Sequence, residues 1–177
     1  MKEGSRVQGF SPQRVARGDK GSKWLFIVTT AGVMVLLDYT TKRLIETFVS
    51  AHETIPLLPF LRVVHVKNPG AAFGIFSNLS NSVFIIISIV AIILLAIYLL
   101  KTVDRLEVFS ISLIVGGAIG NLIDRLTIGK VIDFIDFFVG RWHWPAFNVA
   151  DSALTVGIII FILSNIRQWK HRRSMEL

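Results

Sequence analysis

The chain contains no cysteine. Disulfides, thiolate metal sites and cysteine nucleophiles are therefore excluded. Histidine is scarce as well. His52, His65, His143 and His171 are scattered and show no H-x-x-x-H spacing, so neither a metal site nor a metal cofactor is expected. Acidic residues are few, 12 Asp and Glu against 19 Lys and Arg, which leaves a formal charge of +7. A basic balance can signal nucleic acid, but no RNA- or DNA-binding motif accompanies it, and no nucleic-acid partner is expected. Charge of either sign is thin in four long stretches.

What fills those stretches is apolar. Hydrophobic residues make up 53% of the 177 positions and the mean hydropathy is +0.62. A soluble domain is already about 45–50% apolar, so the clustering matters more than the total. Long runs predict helices over about 24–46, 83–100, 108–125 and 147–166. The second, Ile/Leu/Val-rich and uncharged, nearly crosses a hydrocarbon core of about 30 Å at ~1.5 Å per residue. The first resembles a signal peptide in having a basic lead and an apolar core, but it lacks a small-x-small cleavage site and reads as a retained helix. Length fits one domain. The expected organisation is an all-α membrane protein: a flexible tail over 1–23, a four-helix domain over 24–167, and a basic tail over 168–177. Six Lys and Arg fall in residues 1–23, two are Lys101 and Arg105, and four lie in 167–177. These twelve would flank spans on one side of the membrane. By the positive-inside rule that side, with both termini, is cytoplasmic.

The two connections on the other side differ from the inner one. The stretch Phe60-Leu61-Arg62-Val63-Val64-His65-Val66-Lys67 is bounded by Pro59 and by Asn68-Pro69-Gly70, and reads as a short strand or hairpin on the membrane surface. Residues 126–146 hold Phe134, Phe137, Phe138, Trp142 and Trp144, a set that suits an interfacial belt, with core packing an equal alternative for any one ring.

Carboxylates inside a membrane protein are functional candidates, because an ionised one costs about 2.5 kcal/mol or more at mid-bilayer. Asp38 has Lys42 four positions later, which predicts an ion pair on one helix face. Asp124 is followed by Arg125 and reads as an ionised, paired group, a poor general acid. Arg125 itself has the chemistry to hold a carbonyl or anionic group. Asp133 and Asp151 have no such neighbour, and in a four-helix bundle both fall at the same membrane face. That asymmetry selects them as a pair, since two carboxylates on one cavity are the equipment of an aspartic hydrolase. Asp136 competes with Asp133 but ranks lower, because its neighbourhood reads as a loop running along the interface. Asn148 and Asp151 are three apart and are expected on one helix face. Gly116 and Gly120 form a G-x-x-x-G spacing that permits close helix approach. In Asn68-Pro69-Gly70-Ala71-Ala72-Phe73-Gly74 the small residues let a ligand reach the main chain, Gly70 included, although a plain turn accounts for them too.

Five of these segments occur in one order: Asp38-Tyr39-Thr40-Thr41-Lys42, Asn68-Pro69-Gly70-Ala71-Ala72-Phe73, the run from Gly116 through Asn121 to Asp124-Arg125, Val131-Ile132-Asp133-Phe134, and Phe147-Asn148-Val149-Ala150-Asp151-Ser152. Together they resemble the type II bacterial signal peptidases, the lipoprotein signal peptidase family. The resemblance spans about residues 24–167. It implies four transmembrane helices with a small extracytoplasmic β-cradle, a catalytic pair at Asp133 and Asp151, and no cofactor. It further implies pocket-lining positions at Asn68, Asn121, Arg125 and Asn148, and supporting roles for Asp38, Lys42 and Asp124. The implied setting is the bacterial inner membrane, with the site near the outer face, membrane lipids around a monomer, and diacylglyceryl-modified prolipoproteins as substrates. Tyr39 departs from the family, which usually has Gln there.

Two other classes fit an intramembrane carboxylate. A proton-coupled transporter would place charges near mid-membrane and show paired repeats. An assembly subunit would use the G-x-x-x-G face for a partner helix, and would leave Asp133 and Asp151 without a purpose.

Overall fold

A computed structural model describes residues 20–51, 53–70 and 79–175. The chain runs α1 (Lys20–Phe48), β1 (Thr54–Leu58), β2 (Leu61–Asn68), α2 (Asn81–Lys101), α3 (Arg105–Thr127), β3 (Val131–Val139), β4 (Trp142–His143) and α4 (Val149–Met175). All four helices are long and apolar enough to cross a membrane. Each starts or ends beyond the stretch expected from hydropathy. The largest difference is in α4, where residues 168–175 continue the helix instead of forming a tail. Their basic side chains, Arg172 and Arg173 among them, sit in its last turn, where positive charge complements the helix dipole. The rest of the expected tails, 1–19 and 176–177, lies outside the described residues, as do His52, Ala71, Ala72, Phe73 and Gly74.

Helix α3 is the centre of the bundle and packs against α1, α2 and α4. Its sequence permits this through missing side chains. A Cβ on Gly116 would sit 2.9 Å from the Ala31 carbonyl oxygen of α1, and one on Gly117 would sit 2.5 Å from the Ala150 oxygen of α4. The G-x-x-x-G spacing is thus used inside the chain, with Gly120 leaving room for Asp38. Ile27, Leu99, Val108 and Ile111 form the apolar core beside it. Helix α2 does the opposite. Ile86, Ile87, Val90, Ile93, Leu94 and Ile97 are all exposed, a continuous apolar face that suits lipid and not water.

The end of the bundle away from the sheet is tied by polar groups. Lys23 Nζ donates to the carbonyls of Leu99 and Thr102 at the end of α2. Asp104 caps α3 by accepting from Glu107 N at 3.0 Å. The buried Glu107 carboxylate accepts from Tyr98 at 2.8 Å and Asn165 at 3.3 Å.

At the other end lies a four-stranded antiparallel sheet in the order β1-β2-β3-β4. Strands β2 and β3 pair from Leu61↔Phe137 to Asn68↔Val131, with an irregularity between Val63 and Val66. The segment around Asp136, expected as an interfacial loop, is strand β3. Its Val, Ile and Phe content favours a pleated surface, and Gly129 and Gly140, both at positive φ, punctuate its ends. The aromatic rings divide between two roles. Phe137 stacks between Phe60 and Phe147, while Trp142 and Trp144 are exposed beside it.

Candidate active site

The site forms where the C-terminal part of α3, the N-terminus of α4 and the ends of β2 and β3 converge. Asp133 projects from β3, with Val66 as its cross-strand partner. The strand is pinned to the chain leading into α4: Phe147 N donates to Ile135 O at 3.0 Å and Ile135 N to Phe147 O at 2.8 Å. This clamp sets Asp133 beside Asn148, whose Nδ2 donates to Asp133 Oδ1 at 2.8 Å.

Asn148 caps α4 from just outside it, so it does not share a helix face with Asp151 as their spacing suggested. Asn148 Oδ1 accepts from Asp151 N at 2.8 Å, and Asp151 Oδ2 accepts from Asn148 N at 3.3 Å. This reciprocal arrangement is a capping box, which satisfies two otherwise orphan donors. A third donor, Ala150 N, is satisfied from α1 by Asp38 Oδ1 at 2.8 Å. Asp151 therefore lies in the first turn of α4, at the positive end of its dipole.

Behind this turn is a buried ionic cluster. Lys42, with no exposed surface, contacts Asp38 Oδ2 at 2.7 Å and Asp124 Oδ2 at 3.0 Å. Lys42 also donates to Asn121 Oδ1 at 3.0 Å. Asp124 additionally pairs with Arg43 at 3.6 Å and accepts from Ile132 N at 3.1 Å. Its ion pairs are thus with α1, and the expected pairing with adjacent Arg125 is not formed. Successive helix positions diverge by about 100°, which turns the Arg125 side chain elsewhere. Arg125 Nη2 donates to Gly70 O at 2.9 Å, its guanidinium lies 4.4 Å from the Phe84 ring centroid, and its buried Nη1 has no partner among the described residues.

Asn68 closes the near side. Its Oδ1 accepts from Gly70 N at 2.9 Å, so Asn68-Pro69-Gly70 is a side-chain-braced turn. Its Nδ2 donates to Asp133 Oδ2 at 2.9 Å. Asn121 completes the ring by donating to Asp151 Oδ1 at 2.8 Å. Asp133 and Asp151 each accept two hydrogen bonds, and neither has an ion pair among the described residues.

A cavity of about 670 Å³ opens over them. Asn68, Gly70, Asn121, Arg125, Asp133 and Asp151 supply its polar lining, and Val131, Phe147, Leu154 and Val156 supply apolar wall. Val156 belongs to the exposed face of α4, so the cavity adjoins the surface that lipid covers. Burial pushes the Asp133 carboxyl up to about 7, the neighbouring Asp151 charge adds to the rise, and donors from Asn68 and Asn148 oppose it. Each of these is a recognised cause of such a displacement.

Asp136 points into a different environment. It pairs with Arg62 at 2.5 Å, directly across the sheet, and with His143 at 3.1 Å. Tyr39 is half exposed beneath the Arg43 guanidinium and lines no part of the cavity. Sequence reasoning missed Arg43 as a partner of Asp124, and missed the reach of Lys42 to Asn121. Both contacts join helices far apart in the chain, and local spacing carries no signal for them.

The fold and site define a membrane protein of four spans whose paired carboxylates open on a cavity beside lipid. The chain belongs to the signal peptidase (SPase) II family, whose model matches residues 30–167. It is 46% identical over 136 residues to a lipoprotein signal peptidase of Thermodesulfovibrio yellowstonii, covering 77% of this chain and 91% of that one. It is 43% identical over 157 residues to one of Geobacter metallireducens, covering 86% and 96%. A solved bacterial membrane enzyme superposes with a TM-score of 0.76 at 34% identity, covering 86% of this chain and 92% of the other. The protein is a membrane peptidase, and nothing in these relatives supports a transporter.

Proposed function

We propose that the protein is an aspartic endopeptidase that removes signal peptides from prolipoproteins by cleaving before a diacylglyceryl-modified cysteine. The observation that carries this reading is the pairing of Asp133 and Asp151 over one cavity, with no cation among the described residues salt-bridged to either. Water held between the two carboxyls attacks the scissile carbonyl carbon. The ionised aspartate takes a proton from that water, and the protonated one gives its proton to the carbonyl oxygen. The resulting diol collapses when the leaving nitrogen receives a proton, and the pair is restored with one proton shared between them. In this reading Arg125 Nη1, without a partner among the described residues, donates to a substrate carbonyl, and the apolar wall on α4 receives acyl chain.

The test is incubation of the purified protein with a diacylglyceryl-modified precursor, followed by mass analysis of the products. Cleavage before the modified cysteine is the expected result. An unmodified precursor with the same transmembrane anchor should be cleaved at least about tenfold more slowly. Both substrates already reside in the bilayer, so the difference measures orientation of the scissile bond. Equal rates would overturn the lipid-specific reading in favour of a general intramembrane peptidase.

The proposed setting is the bacterial inner membrane, with both termini cytoplasmic and the site near the outer face, because the basic residues flank one side of the spans. In intact cells, a cysteine introduced near residue 10 or 175 should resist a membrane-impermeant thiol reagent, and one near residue 78 should react. The opposite labelling would reverse the orientation.

A further inference from the structure

We propose that Lys42, which lies outside the cavity, decides the division of labour between the two aspartates. It does so by holding the Asn121 amide in one orientation, so that Asp151 is the proton acceptor and Asp133 the member that carries the proton. The proposal rests on the aspartic reading given above.

The argument begins with the lysine's chemistry. An ammonium has three donors and no acceptor. Lys42 forms ion pairs with Asp38 Oδ2 at 2.7 Å and Asp124 Oδ2 at 3.0 Å, and donates a hydrogen bond to Asn121 Oδ1 at 3.0 Å. An asparagine amide has one oxygen end and one nitrogen end, and only the oxygen can face an ammonium. The nitrogen end is then forced onto Asp151 Oδ1, at 2.8 Å. Reversing the amide would set its N–H groups against the ammonium and its lone pairs against the carboxylate. Asn148 Nδ2 supports the same orientation from 3.2 Å, but its two protons are shared with Ile132 O at 3.2 Å and with Asp133 Oδ1, which is nearer at 2.8 Å. Lys42 is the stronger hold.

The consequence falls on Asp151. Donors face both of its oxygens, from Asn121 Nδ2 and from Asn148 N, and it sits in the first turn of α4, where negative charge is favoured. The charged groups around it are Lys42 with its partners Asp38 on α1 and Asp124 on α3, Arg125 on α3, and Asp133 on β3. Asp133 has two amide donors of its own but no helix terminus beneath it. Its carboxyl, raised to about 7 by burial, is suited to holding a proton at neutral pH. Lys42 touches neither substrate nor the reacting atoms, so it is a positioning residue. Asn121, with both ends of its amide engaged within the protein, serves as its relay.

The test is the pH dependence of kcat/KM for cleavage of a diacylglyceryl-modified peptide. Lys42→Gln keeps a donor toward Asn121, whereas Lys42→Met has none. Lys42→Met should move the acid limb upward by about one pH unit, since a carboxylate that loses a donor is harder to ionise. Lys42→Gln loses the direct charge that Lys42 exerts on both aspartates but keeps the donor toward Asn121, so its limb should move by less than half as far. Should Lys42→Met fail to fold, Asn121→Leu removes the donor to Asp151 while leaving the Lys42–Asp38–Asp124 cluster whole, and the same upward displacement is expected. A double Lys42→Met/Asn121→Leu variant should move no further than Lys42→Met alone. A purely structural role would lower thermal stability and leave the acid limb in place. An unmoved limb in Asn121→Leu, or equal displacement in Lys42→Met and Lys42→Gln, would overturn the proposal. Failure of the parent protein to cleave the peptide would instead overturn the aspartic-peptidase reading on which it rests.

Discussion

Asp133→Asn and Asp151→Asn are each expected to slow precursor cleavage by about a thousandfold or more, because each removes a proton-transfer group whose contribution is about 10²–10⁴-fold. Neither change alters side-chain volume much. The two variants should nevertheless differ from a simple loss of function in one respect. Asp133 is buried and its carboxyl is raised to about 7. Between about pH 4 and pH 7 the unfolded chain surrenders that proton while the native protein keeps it, so Asp133 withdraws stability as pH rises. An asparagine does not titrate. Asp133→Asn should therefore lie about 1 kcal/mol below the parent near pH 4, for the hydrogen bond it cannot accept, and exceed it above pH 7. The gain should be about 2–3 kcal/mol, after allowing ~1 kcal/mol for one donated hydrogen bond that an amide nitrogen cannot accept. Thermal unfolding in detergent across this pH range measures it, with peptide cleavage followed in parallel. An Asp133→Asn variant that cleaved at near-parental rate would remove Asp133 from the pair.

Asp124→Ala is expected to destabilise the fold by about 3–5 kcal/mol, the range for breaking a buried ion pair from one side. The loss leaves Lys42 with Asp38 as its sole carboxylate, removes the acceptor for Ile132 N, and leaves Arg43 with Glu46 alone. Ile132 adjoins Asp133, so the same substitution loosens the strand that presents it. Asp124→Asn keeps an acceptor oxygen and should cost less. Asp136→Ala offers the contrast, because its partners Arg62 and His143 are both partly exposed. A cost of about 1 kcal/mol or below is expected there. Unfolding of the three variants in one detergent gives the comparison, and equal losses for Asp124→Ala and Asp136→Ala would contradict the distinction between buried and rim pairs.

The helices were readable because lipid demands one property along a whole segment. A bilayer needs about 20 apolar residues in a row, and α2 announces itself from composition alone. Asp38 and Lys42 were readable because a helix brings positions four apart together. Asp124 shows where this local grammar stops. Its sequence neighbour Arg125 points to Gly70 and Phe84, while its ion-pair partners lie some eighty positions away on α1. Strand β3 was passed over because Phe134, Phe137 and Phe138 suit a membrane interface as well as they suit a sheet. The Gly129 and Gly140 boundaries were the signal that separates the two. Asn148 was placed inside α4, because a cap and a first-turn residue look alike until the hydrogen bond to the N–H three positions on is seen.

The two carboxyls stand on parts of different mechanical character. Asp151 is embedded in the first turn of a helix that crosses the bundle. Asp133 rides on a strand of the sheet, which joins that helix through the backbone exchange between Ile135 and Phe147. Tilting the sheet by a few degrees leaves Asp151 in place and carries Asp133 with the tilt. The pair is therefore whole only while the sheet is seated.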